Sequence, residues 1–147
     1  MENGPQIKVR LSAIVLNSKK EVILGRIKVG YDSGKWTFPE RELKFGETYH
    51  MCFFRELWSS IGFRNTDVLM LDERPTYVTS DIYDDEEDVT EGHCITLFFR
   101  GKHIKRAVGE KNKEKYQNFR WFEWGNFPEP LSLPVKKILK DGYNPFP

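Results

Sequence analysis

The sequence predicts an α+β chain or an α/β/α sandwich, a sheet packed against helices, in a single domain over residues 1–147. Two observations carry that expectation. β-branched apolar segments lie on both sides of one strong helix pattern, and a second short helix closes the chain. The length of 147 residues fits one domain, able to bury roughly 70% of the surface its unfolded chain exposes.

The elements follow in order. IKVRLSAIVL (7–16) is β-branched and apolar enough for a buried strand, and Asn17-Ser18-Lys19-Lys20 reads as a turn into a return strand at 21–29. Gly30 to Lys35 is a loop with two glycines, followed by a short extended piece at 36–39, where Pro39 biases Phe38 toward the β region. Thr48 can cap the helix and Gly62 can close it in a left-handed conformation. Between them Met51, Phe54, Leu57, Trp58 and Ile61 form one apolar stripe expected to face the sheet. Further strands are expected at 68–71, 76–79, 93–99 and 120–124. Leu133 to Lys140 reads as the closing helix, with Pro134 in its first turn and Gly142 past its end.

Apolar residues at 39% against 31% charged residues are the balance of a globular chain, neither disordered nor a membrane span. A net charge of +1 argues against a surface wholly devoted to nucleic acid. The two cysteines, Cys52 and Cys94, form no disulfide framework and lack zinc-site spacing, and His50, His93 and His103 show no shared ligand spacing. With no leader-like start and no long apolar run, the expectation is an intracellular protein, cytoplasmic or nuclear, without a membrane partner. Two charged stretches, the acidic DIYDDEEDVTE (81–91) and the basic 100–115, read as solvated loops between strands. Asp84 to Asp88 of the acidic one could instead fold over a cleft and supply replacement metal ligands, and the basic one could attract RNA or a polyphosphate beside Tyr116, Phe119 and Trp121.

The segment ERELKFGETYHMCFFRELWSSIGF (40–63) is the least generic. It resembles the Nudix box, the loop-helix-loop signature G-x5-E-x7-R-E-U-x-E-E-x-G-U with U a bulky aliphatic residue, which places Glu40-Arg41 in the loop before the helix. Glu47 stands at the first Glu, Arg55 and Glu56 at the RE pair, and Gly62 at the Gly. Arg41 replaces the leading Gly, and Ser59 and Ser60 replace the EE pair. The flanks LGRIKVG, HCITLFFRG, RWFEW and DGYNPF also look like MutT-type nucleoside triphosphate diphosphatases. The resemblance implies a Nudix fold, a mixed β-sheet sandwiched between α-helices, as one Nudix domain over 1–147.

It further implies a homodimer, a nucleotide or nucleotide-derivative ligand, and Mg²⁺ or Mn²⁺ if the protein is active. A diphosphate-splitting site needs hard cations on oxygen ligands, and positions 56, 59 and 60 share one helical face. Only Glu56 remains acidic there, so Glu47 and Glu56 are the remaining candidate metal ligands, with Arg55 as their electrostatic brace. Glu47, Arg55 and Glu56 are thus the retained catalytic remnants of the box. Arg41 could pair with Glu47 or Glu56, or meet a ligand phosphate in place of metal. By resemblance Trp36 and Thr37 line a base pocket, with Arg26 near the phosphates; simple core packing of Trp36 is the competing reading. The expected function is a degenerate Nudix protein, a pseudoenzyme that binds a nucleotide with little or no metal-dependent hydrolysis. Two alternatives stay open: an active diphosphatase with displaced metal ligands, and a protein-interaction or RNA-binding subunit with a protein partner.

Overall fold

In a computed structural model the described residues are 6–30, 32–85, 88–109, 111 and 113–147, with side chains described outside 83–91. The chain runs β1 (Ile7–Leu16), β2 (Glu21–Ile27), β3 (Trp36–Thr37), β4 (Glu40–Glu42), α1 (Tyr49–Ser60), β5 (Val68–Met70), β6 (Tyr77–Asp85), β7 (Asp88–His103), β8 (Tyr116–Glu123) and α2 (Leu133–Lys140). All eight strands belong to one mixed sheet whose spine is β3-β2-β1-β7-β5, with β8 on β2, β4 on β1 and β6 on β7. β1 and β7 run parallel from Ile7↔His93 to Leu16↔Lys102; the other pairings are antiparallel.

Alternation along β1 divides the core between the two faces. Leu11, Ala13 and Val15 pack with Cys52, Phe53, Leu57 and Ile61 of α1. Ile14 and Leu16 pack with Val135 and Ile138 of α2 and with Phe38. The sheet therefore lies between two helices, the α/β sandwich expected. Local signals hold at several ends: Asn17 Oδ1 accepts from the Lys19 and Glu21 amides at 3.0 Å each, and Thr48 Oγ1 accepts from the Met51 amide at 3.1 Å. Gly62 takes φ +95°, a conformation costly for other residues.

Five expectations change. The second strand stops at Ile27, leaving Val29 exposed. The acidic stretch is not a loop between strands, because β6 runs to Asp85 and β7 starts at Asp88, pairing Asp85 with Asp88. The basic stretch is likewise part strand: β7 continues to His103 and β8 begins at Tyr116. The α1 stripe is rotated. Cys52, Phe53, Glu56, Leu57 and Ser60 are buried, whereas Met51 and Trp58 are exposed. Finally, Glu40-Arg41-Glu42 is a strand rather than a loop, since the N-terminal half of β1 offers it a free edge, Arg10↔Glu42 to Ser12↔Glu40.

Candidate functional site

Pairing with β1 fixes where the box lead-in points. Arg41 stands opposite Leu11, whose side chain packs toward α1, and so faces the helix. Its Nε lies 3.9 Å from Glu56 Oε1, and its Nη1 donates to Ser59 Oγ at 3.3 Å. Ser60 Oγ donates to Glu56 Oε2 at 2.9 Å. Glu56 is only 2% exposed. Burial pushes its carboxyl up to about 7, against the opposing pull of Lys115, the Ser60 hydroxyl and Arg41.

Glu47 is engaged elsewhere. Arg55 Nε lies 2.6 Å from its Oε2, Arg55 Nη2 donates to Oε1 at 2.8 Å, and the Lys44 amide donates to Oε1 at 3.1 Å. Burial raises this carboxyl, but the Lys44 amide and Arg55 together outweigh it and hold it below the usual range. Arg41 therefore pairs with Glu56, not Glu47, and Arg55 keeps its bracing contact between lead-in and helix.

These residues do not fit Mg²⁺ or Mn²⁺. The carboxylate oxygens of Glu47 carry Arg55 and Lys44, those of Glu56 face Ser60 and Arg41, and a guanidinium stands where a cation would have to approach. Among the described residues no group of three or more His, Cys, Asp or Glu is placed to hold a metal ion. Asp81, at the start of the acidic stretch, is buried and ion-paired to Lys137 of α2. The carboxylates of Asp84 to Asp88, considered as replacement ligands, lie outside the described side chains.

Beside Arg41 opens a cleft of about 250 Å³, lined by Arg10, Asp32, Glu40, Glu42 and Lys115 as well as Ile27 and Val29. Glu40 is 5% exposed, with Arg10 Nη1 3.6 Å from its carboxylate. Burial raises its pKa, while Arg10 and Lys115 pull it down. Its backbone is fixed as well: the Glu40 carbonyl accepts from Lys115 Nζ and Tyr116 OH at 2.8 Å each, and the Glu40 amide donates to Tyr116 OH at 3.2 Å. Sequence reasoning missed Arg10 and Asp32, and read Lys115 and Tyr116 only at the end of the basic stretch, not in this cleft. The usable signals were weak, a base two residues after Lys8 in a mostly apolar strand and a Lys-Tyr pair at the end of the basic stretch.

Trp36, Thr37 and Arg26 do not line this cleft. Trp36 packs with the α2-side core, its ring 5.3 Å from Phe122 in a T-shaped contact. Its amide donates to the Pro130 carbonyl at 2.8 Å. Thr37 is buried and accepts from Ser132, the N-cap residue of α2, at 3.0 Å. Arg26 Nε donates to the Gly34 carbonyl at 3.1 Å. Cys52 is a packed core residue whose thiol burial pushes up to about 12, with Glu47 adding to the effect. The histidines do not converge: His50 sits against Phe54, His93 against Ser80, and His103 between Phe63 and Trp121.

An RNA pyrophosphohydrolase of Francisella philomiragia subsp. philomiragia is 23% identical over 124 residues, 80% of this chain and 78% of that protein. One from Tolumonas auensis is 30% identical over 71 residues, 48% of this chain and 39% of its own length. The fold is similar to that of a MutT NUDIX hydrolase from Burkholderia pseudomallei, with TM-score 0.71 and 17% identity over 92% of this chain and 97% of that one. It is also similar to the NUDIX domain of Shewanella oneidensis NrtR in complex with ADP ribose, with TM-score 0.66 and 12% identity over 96% and 88% of the two chains. Among the described residues no helix is long and apolar enough to cross a membrane. The family model of the NUDIX domain matches residues 7–141, which span all eight strands and both helices, and the chain accordingly belongs to the Nudix family.

Proposed function

We propose that this chain, as one domain over residues 1–147, binds a nucleotide or nucleotide derivative in the cleft beside Arg41 with little or no metal-dependent hydrolysis. The observation that carries this reading is Arg41 itself, a guanidinium set between Glu56 and Ser59 at the point where the Nudix box would gather carboxylates. Arg10, Arg41 and Lys115 give the cleft cations for phosphates alongside the carboxylates of Asp32, Glu40 and Glu42, and Ile27 and Val29 give it an apolar wall. A related fold that holds ADP ribose supports a nucleotide-derivative ligand, and the bacterial relatives' name adds RNA to the candidates. The homodimer implied by the resemblance is part of the same reading. Ile7, Val78 and Ile82 are 56%, 52% and 63% exposed on one sheet face, which supports self-association.

The test is thermal shift and phosphate release across nucleoside triphosphates, ADP ribose and a 5′-triphosphate RNA, with Mg²⁺ and with Mn²⁺. Binding without turnover is expected. Arg41→Ala should weaken triphosphates more than nucleosides, with added salt shrinking the difference. Turnover in the wild type would favour the diphosphatase with displaced ligands. No ligand-dependent shift at all would leave the protein-interaction scaffold.

A further inference from the structure

The C-terminal end of α1 and the chain after β7 flank a second, open groove, of about 910 Å³, which shares no lining residue with the cleft beside Arg41. Trp58 stands in its wall and is 46% exposed, a large aromatic surface left in solvent. Lys111 Nζ lies 3.4 Å from the centre of that ring. Arg64, Lys105 and Arg106 line the same groove and are exposed. One acid is present among its described lining residues, Asp67, and it is already held locally. Asp67 Oδ2 accepts from the Arg64 amide at 2.7 Å and from Arg106 Nε at 2.8 Å, and its carbonyl accepts from the Ile104 and Lys105 amides. Glu110, in the same stretch of sequence, lies outside the described residues.

The wall opposite Trp58 is fixed to the helix. The Lys111 amide donates to the Ser60 carbonyl at 3.1 Å, and Gly109 comes so close that a Cβ there would lie 2.7 Å from the Ile61 carbonyl oxygen. An exposed π-surface with a lysine over it and further cations alongside matches the repeating chemistry of an unpaired strand, a flat base followed by a phosphate. A duplex keeps its bases stacked inside and cannot use the indole. A net charge of only +1 for the whole chain means that this concentration of cations is local rather than general.

We propose that the groove docks a single-stranded nucleic acid, one base taking the place of the Lys111 ammonium over Trp58 and the adjoining phosphates meeting the displaced Lys111, Lys105 and Arg64. The test is fluorescence anisotropy with a 3′-labelled, 5′-hydroxyl dodecauridine, which carries no terminal phosphate for the Arg41 cleft. Trp58→Ala should weaken binding roughly 5- to 150-fold, the range for one lost stacking contact, and Trp58→Phe should restore much of it. Lys105→Ala with Lys111→Ala should lower the slope of log affinity against log salt by about 1.4, or 0.7 per single-strand phosphate contact. Arg41→Ala should bind the strand as the wild type does. All the altered groove side chains are exposed, and circular dichroism confirms that each variant is folded. No binding at low salt, an affinity unmoved by Trp58→Ala, or equal competition by inorganic polyphosphate or a duplex overturns the proposal. Nucleotide-dependent thermal shifts are read separately, so failure here leaves the Arg41 cleft standing, and the reverse.

Discussion

Replacing Glu56 by Gln removes a buried carboxyl from the α1 face while keeping its size and its acceptor for the Ser60 hydroxyl. In the folded chain the Glu56 carboxyl sits at about 7, raised from 4.5 first by burial, with Lys115, Ser60 and Arg41 offsetting only part of that. A carboxyl raised on folding adds stability that is fully present below its unfolded pKa and is lost as pH rises through its folded one. The difference of about 2.5 pKa units corresponds to about 3 kcal/mol, all of it lost between pH ~4.5 and ~7. Glu40 is raised too, while Glu47 and Asp67 are lowered, so the wild-type curve alone mixes opposing contributions. The difference between wild type and Glu56→Gln isolates the one group. Urea unfolding of both proteins from pH 4 to pH 8 should show that difference moving by about 3 kcal/mol in favour of the glutamine variant, or roughly 6–12 °C in Tm for a chain of this size. A difference that stays flat across the window would refute the reasoning. So would one that moves the other way, because the Arg41 ion pair would then outweigh burial.

Three further outcomes are expected. Calorimetry on the wild type should find no Mg²⁺ site tighter than about millimolar, whereas Ser59→Glu with Arg41→Gly, which exchanges the half-buried serine for a carboxylate and removes the guanidinium, should bind Mg²⁺ measurably better. Trp36→Ala should lower stability by about 3 kcal/mol in denaturant titration, since its ring packs on Phe122, and should leave nucleotide affinity unchanged. Gly101→Ala should cost about 1–3 kcal/mol by the same assay, because a Cβ would stand 2.7 Å from both Phe53 Cζ and Val68 Cγ1.

What could be read in the sequence was what is decided locally. Thr48 and Gly62 bracket α1, and α2 runs Leu133–Lys140 as Pro134 and Gly142 indicate, because caps and fixed φ values act within a few residues. β4 was hidden, since Glu-Arg-Glu has no preference for extended structure and is a strand only because β1 offers an edge 30 residues earlier in the chain. β6 was cut short for a related reason. Its alternation is present but inverted, with Thr79 and Asp81 buried and Val78 and Ile82 exposed. In α1 the apolar spacing pointed to Met51 and Trp58, yet the face turned inward holds Glu56 and Ser60. Hydrophobicity fails as a guide where a helix presents polar groups to an interior site. The box residues were legible as a pattern, but the Arg41–Glu56 contact depends on strand register and so had to be seen in three dimensions.

β7 is bonded to β1 along one edge, and to β6 and then β5 along the other. Side chains alternate with a period of two, so one residue inserted or deleted between Cys94 and Gly101 would turn everything downstream to the opposite face. Phe98 and Phe99, which pack in the two separate cores, would exchange places or leave them, and Gly101 would no longer meet Phe53. No neighbouring strand could slip to compensate, because each is registered to β7 at a different point. Length variation among relatives should therefore be confined to connections such as 28–35 and 104–115, with β7 keeping a constant residue count even where its side chains have changed.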